Sequence, residues 1–256
     1  MTTMTIADMM VAPIAATERP TLVGNRLALA GVAMYFLEWV GIIAFNFGNV
    51  PASQGTKAAE ILAQYVQHGP GIELLAGWLS LVLLGRILFV AGIRHALRRS
   101  GADTLLADFA VLAMAVSVIL EVAAYAIASG GAYAAAAGAE QSTIVGIDGV
   151  ANFVNLVLAA PIGVAVLAAS LAMVRSRLFP AWLSWLGVAA GLVTCVYGVI
   201  VGPAFAAGGT CAVALCVTGS VLPGLAQALS ATLLAAWVWM IATGVVLFRA
   251  AGRRRP

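Results

Sequence analysis

Six runs of about 20 or more mostly apolar residues divide the chain, and a run of that length is what an α-helix needs to cross a hydrocarbon core of about 30 Å. The runs are continuous rather than alternating, so strand patterning does not compete. They predict helices at about Arg26 to Phe47, Gly71 to Ile93, Thr104 to Ala128, Gly149 to Val174, Trp182 to Gly202 and Leu225 to Phe248. Composition points the same way. Hydrophobic residues are 63% of the chain, charged residues 9%, and mean hydropathy is +1.05. An ordinary globular domain is about half apolar and about a quarter charged, and a soluble body this size could not cover its surface with so few charges. A soluble domain, a disordered chain, a nucleic-acid-binding domain, a coiled coil and a disulfide scaffold are all excluded. The expected fold class is all-α, an integral membrane bundle of six transmembrane helices with the lipid bilayer as its solvent.

Orientation follows from the arginines, since short cytoplasmic loops carry the excess of Lys and Arg. Arg19 and Arg26 precede the first span, and Arg94, Arg98 and Arg99 follow the second. Arg175 and Arg177 follow the fourth, and Arg249, Arg253, Arg254 and Arg255 follow the sixth. Of the 13 basic residues only Lys57, on the opposite side, and Arg86, inside a span, fall elsewhere. Both termini are expected in the cytoplasm, and the localisation is a plasma (inner) membrane. Residues 1–25 read as a cytoplasmic N-terminal segment, 26–248 as the six-helix transmembrane domain and 249–256 as a basic cytoplasmic tail. The first span, about twice as long as a usual signal-peptide h-region and with no small-residue cleavage site after it, reads as a retained helix.

The cytoplasmic turns are short and the three outer connections long, so the chain reads as three hairpins entering from the cytoplasm. Their starts near Arg26, Thr104 and Trp182 are evenly spaced, but residue types do not repeat: Glu38 would meet Val116 and Thr194. The even spacing is read as a bilayer-thickness constraint. In the first outer connection, Thr56 to Gln67, the residues Ala58, Ile61, Leu62, Tyr65 and Val66 share a helical face, which predicts a short amphipathic helix on the outer leaflet, ended by Gly69-Pro70. Pro161 is expected to kink the fourth helix and Pro203 to end the fifth. Gly187-x-x-x-Gly191 and Gly198-x-x-x-Gly202 in the fifth let another helix approach closely, within the chain or in a homo-oligomer. Trp182 and Trp185 fall where a cytoplasmic aromatic belt belongs.

Polar groups in lipid are the informative ones, because each costs free energy to place there. Glu38 lies about 18 Å into the first span and Glu121 about 25 Å into the third, both from the cytoplasmic end at 1.5 Å per residue. Tyr35 shares a helical face with Glu38, and Ser117 and Tyr125 share one with Glu121. Asp148, Asn152 and Asn155 fall on one face of the fourth helix, so these groups occupy the outer half of the bilayer and are able to converge. One reading is a polar cavity holding a proton or cation between Glu38 and Glu121. The plainer one is that each acid is protonated or bonded to a tyrosine or asparagine and fastens helices together. Arg86 in the second span and Asp108 in the third lie near the cytoplasmic third of the bilayer on consecutive helices, which predicts an Arg86–Asp108 ion pair. Cys211 and Cys216, in an outer loop and an oxidising compartment, form a candidate disulfide, while Cys195 reads as a packing residue.

With only His68 and His95, no histidine-based metal or haem site can be assembled, and no Walker, dinucleotide or H-E-x-x-H motif occurs. No cofactor, no metal, no nucleic-acid partner and no catalytic residue is expected. At the turn into the fifth helix, Leu178-Phe179-Pro180-Ala181-Trp182-Leu183-Ser184-Trp185-Leu186-Gly187 resembles a recurrent turn, roughly L-F-P-x-W-L-G-W-L-G, with Ser184 where the pattern usually has glycine. That turn belongs to a family of bacterial multipass membrane proteins of unknown function (domain-of-unknown-function 4386-like). The six-span layout, the first outer amphipathic segment and the basic C-terminus resemble the same family. The resemblance implies the fold and carries no catalytic residues. The expected function is that of a non-enzymatic membrane protein acting structurally or through a protein partner. The alternative is a small secondary transporter coupled to a proton or cation through Glu38 and Glu121.

Overall fold

The computed structural model describes residues 22–45, 56–206 and 222–252, with side chains at 26–45, 56–201 and 234–249. Among these residues there are helices and turns and no strand. The helices are α1 (Leu22–Phe45), α2 (Ala58–Val82), α3 (Leu84–Arg99), α4 (Leu105–Ala136), α5 (Gln141–Val157), α6 (Ala159–Ser176), α7 (Ala181–Ala206) and α8 (Leu222–Gly252). Five helical stretches are long and apolar enough to cross a membrane: Arg26–Phe45, Ala58–Arg99, Leu105–Ala136, Gln141–Ser176 and Ala181–Val201. In α8 the apolar stretch Leu234–Arg249 is shorter. The outer surface carries large apolar side chains such as Ile43, Leu112, Ile119 and Val199, each about two-thirds exposed. A lipid solvent accepts such a surface, and the architecture fits a membrane-embedded, multipass helical protein.

Several element ends differ from the sequence reading. The amphipathic segment does not stop at Gly69-Pro70. α2 runs unbroken through Pro70, and α2 and α3 together form a stretch of 42 residues, about 63 Å long. Proline removes one backbone hydrogen bond but does not forbid a helix where packing holds it. Here Tyr65, Gly69 and Ile72 are buried on both sides of Pro70, and Gly69 faces Ala132 of α4. α2 gives way instead at Leu83, whose backbone stays right-handed (φ −66°, ψ −21°) while Arg86 N–H bonds back three residues to Leu83 O at 3.0 Å. Pro203 does not end α7, which continues to Ala206, because proline disturbs the turn before it and leaves the residues after it free to stay helical. Pro161 acts as expected. The fourth run divides into α5 and α6 at Leu158, next to Val157, whose carbonyl the proline ring opposes. α4 extends eight residues beyond the expected Ala128, to Ala136. Two turns end on left-handed glycines, Gly101 (φ +73°) and Gly138 (φ +81°), a common way to stop a helix.

α4 is the central helix and packs on α2, α3, α5 and α6, while α1 lies against α2, α3 and α8, and α7 against α5, α6 and α8. Its inward face is narrow: Ala107, Ala110, Ala113, Ser117, Ala124, Ala128 and Ala132 are all buried small residues. Gly187, Gly191 and Gly198 of α7 pack inside the chain, while the surroundings of Gly202 lie outside the described residues. A Cβ added to Gly191 would come within 2.5 Å of Leu167 N, and one on Gly198 would overlap the Ala160 backbone, both on α6. At Gly191 and Gly198 this face is occupied by α6. Cys195 lies in the same contact, its Sγ 3.8 Å from Ala160 O, as a packing residue would. α1 and α3 approach closely at Gly31 and Gly85, where an added Cβ on Gly31 would lie 2.5 Å from Gly85 O and 2.6 Å from Phe89 N. That contact brings the neighbouring Arg86 within reach of α1.

Candidate functional site

Arg86 is buried, 4% exposed, one turn past the break at Leu83. Its Nη1 donates to Glu121 Oε2 of α4, and its Nη2 donates to Tyr35 Oη at 3.1 Å and lies 3.4 Å from Glu38 Oε2, both on α1. The guanidinium carbon also stands 4.2 Å from the centroid of the Tyr35 ring, a cation–π position. Trp237 of α8 donates its Nε1 hydrogen to Tyr35 Oη at 3.0 Å. Glu38 and Glu121 are 7% and 5% exposed, and Tyr125 is buried one turn along α4 from Glu121. One guanidinium thus fastens α1, α3 and α4, and the tyrosine it holds adds α8. Glu121 stands at the middle of the 32 residues of α4, so the hub sits at mid-height of the bundle.

The sequence reading left Glu38, Glu121, Tyr35 and Tyr125 able to converge, and the structure brings them together. It contradicts the Arg86–Asp108 pair. Asp108 is bonded by Arg94 Nε, with Thr104 Oγ1 donating to its other oxygen at 3.3 Å, and both side chains of the Arg94–Asp108 pair are partly exposed. The reason is antiparallel register. With the turn centred on Ala102, residues equally far from it along α3 and α4 stand at the same height. Arg86 is then level with Val118, one turn from Glu121, and Arg94 is level with Ala110, beside Asp108. Arg94, read from the sequence only as a topology anchor, is the residue that was missed, and matched distance from the turn is the signal that finds it.

Asp148 and Asn152 of α5 form a second polar group. Tyr65 of α2 donates to Asp148 Oδ1 at 2.9 Å, and Asn152 Nδ2 donates to Asp148 Oδ2 at 2.9 Å. Tyr65 and Asp148 are buried, and Asn155 is half-buried on the same helix. The Tyr65 ring faces Gly131, ten residues past Glu121 on α4, which puts this group about 15 Å along the bundle from the Arg86 hub. The expected convergence of α5 with Glu38 and Glu121 is therefore replaced by two separate sites. Tyr65, read only as part of an amphipathic face, is the partner that spacing did not reveal. The Cys211–Cys216 pairing lies outside the described residues. Among those residues no group of three or more His, Cys, Asp or Glu side chains is placed to hold a metal ion.

No protein-family model, curated protein or solved structure matches the chain.

Proposed function

We propose that this is a six-crossing integral protein of the plasma membrane, with both termini cytoplasmic, that performs no catalysis of its own and acts structurally or through a protein partner. The observation that supports the structural role is the Arg86 hub. Its polar atoms are spent on groups from α1 and α4 in the middle of the bundle, an arrangement that fixes helices rather than one that leaves them open to a substrate. α8, at 31 residues long enough to span, supplies the sixth crossing, and the arginines at α3–α4, α6–α7 and the C-terminus set the orientation. The turn at Leu178–Gly187, with Phe179 and Leu183 buried and Trp182 and Trp185 exposed, supports a place in the bacterial multipass family it resembles. Crosslinking in native membranes tests the partner. A specific protein captured by photo-reactive residues on the exposed faces supports it, and capture of lipid alone at every position removes it.

A second reading has its own support. Two carboxyls meet one guanidinium, an excess of acid that suits a small proton- or cation-coupled carrier. Flux driven by a pH gradient in proteoliposomes, lost with Glu38→Gln or Glu121→Gln, is the expected result on that reading. No flux, or flux unaffected by both substitutions, removes it.

A further inference from the structure

The ionisable groups that meet at the centre of the bundle come from α1, α3 and α4. α1 supplies Glu38 and Tyr35, α3 Arg86, and α4 Glu121 and Tyr125, while among the described residues α8 adds the neutral indole of Trp237. With Glu38, Glu121 and Arg86 all ionised, the site would hold two negative charges and one positive charge, each on a side chain less than a tenth exposed. A single bound proton removes the imbalance, and the geometry shows which carboxyl takes it. Arg86 Nη1 is committed to Glu121, whereas Nη2 is shared between Tyr35 at 3.1 Å and Glu38 at 3.4 Å, the longest contact of the set.

The hydrogen inventory shows what Glu38 accepts. A phenol has one hydrogen to give and two lone pairs to fill. Tyr35 Oη accepts from Arg86 and from Trp237, so both lone pairs are used and its own hydrogen remains for the Glu38 carboxyl one turn along α1. Donation to one Glu38 oxygen by itself favours the carboxylate, so it is burial beside a second acid that favours the proton, which the other oxygen carries. Glu121 has no such arrangement and serves as the counter-ion of Arg86.

We propose that Glu38 is an exchangeable proton-binding site in the middle of the bundle, held neutral beside an Arg86–Glu121 ion pair. This rests on the membrane-embedded reading of the fold. Release of the proton to water leaves Glu38 a carboxylate and the site with one net negative charge; rebinding restores neutrality. No other reactant is needed.

Infrared spectroscopy of the full-length chain in lipid nanodiscs tests the proposal through the carbonyl stretch of a protonated carboxylic acid. At neutral pH the wild type should show one such band that shifts in D2O, is lost reversibly as pH is raised and is absent in Glu38→Gln. Glu38→Asp should keep a band at a shifted frequency, which ties it to this position even if Glu38→Gln folds poorly. Asp148→Asn should leave it unchanged. Absence of a protonated-carboxyl band at neutral pH overturns the proposal, as does a band that survives unaltered in both Glu38 variants. Loss of the band on adding sodium at fixed pH also overturns it, since a metal cation would then balance the charge. Extraction from membranes by salt or alkali alone would instead end the embedded reading, and a persistent band without flux in vesicles would end only the carrier reading.

Discussion

Arg86 shows its importance most clearly when it is removed. Truncating one partner of a buried ion pair leaves the other charge without compensation, at a cost of about 3–5 kcal/mol. Arg86→Met, which strands Glu38 and Glu121 together, is expected to lose stability on that scale, read as a lowered melting temperature of the detergent-solubilised protein. Glu121→Gln should lose less, because Arg86 still has Glu38 within reach. Asp108→Asn should change little, since the Arg94–Asp108 pair is partly exposed at the end of the bundle and such pairs contribute weakly. An Asp108 variant as damaging as Arg86→Met would count against this assignment. The acids of the hub were legible in the sequence because a carboxyl in an apolar run is costly wherever it points. Their pairing was not legible from depth counted separately on each helix, because an ion pair depends on how two helices are registered about their shared turn. Tyr65 stayed hidden for a related reason: its hydroxyl matters only once α2 is known to continue past Pro70 alongside α5.

At the scale of the element, close backbone contact decides which glycines matter. Gly85 has Gly31 and the Tyr35 backbone against it, so Gly85→Val pushes α3 away from α1 and withdraws Arg86 from Tyr35 and Glu38. Overpacking of this kind costs about 1–3 kcal/mol, with more expected where the obstacle is backbone. Gly77, on the preceding helix, has nothing within 4 Å of an added Cβ, so Gly77→Ala should be tolerated. Melting temperatures of the two variants compared side by side check this, and equal losses would contradict the assigned contact. Helix existence was readable from apolar length alone. Helix ends were not, and the two prolines show why. Pro70 and Pro203 each carry the local chemistry of a stop, yet Pro70 lies between buried residues that hold the helix together, and Pro203 follows a turn that can absorb its defect. Pro161 broke its helix as expected, at the carbonyl its ring opposes. Of the α7 glycines marked as contacts, Gly191 and Gly198 meet α6 and Gly187 meets both Ser170 of α6 and Trp239 of α8, partners that only the structure shows.

For the whole molecule, the arrangement of crossings makes an accessibility prediction. The proposed six spans with both ends inside would put Lys57 and Arg98, both exposed, on opposite faces of the membrane. A membrane-impermeant thiol reagent added to intact cells should label Lys57→Cys and spare Arg98→Cys, once Cys195, Cys211 and Cys216 have been replaced. Labelling of both, or the reverse pattern, would overturn the proposed orientation.

The ion pairs identified here all join α1, α3 and α4, whereas α6 and α7 meet through Gly163, Gly191 and Gly198. Ionic contacts are directional and resist rolling or sliding of one helix on another. The α6–α7 seam is held by close backbone packing and the Cys195–Ala160 contact, which are less directional than an ion pair. α1, α3 and α4 are therefore expected to keep their register, and the adjustments by which the molecule accommodates a thinner or thicker bilayer are expected to run along the α6–α7 seam.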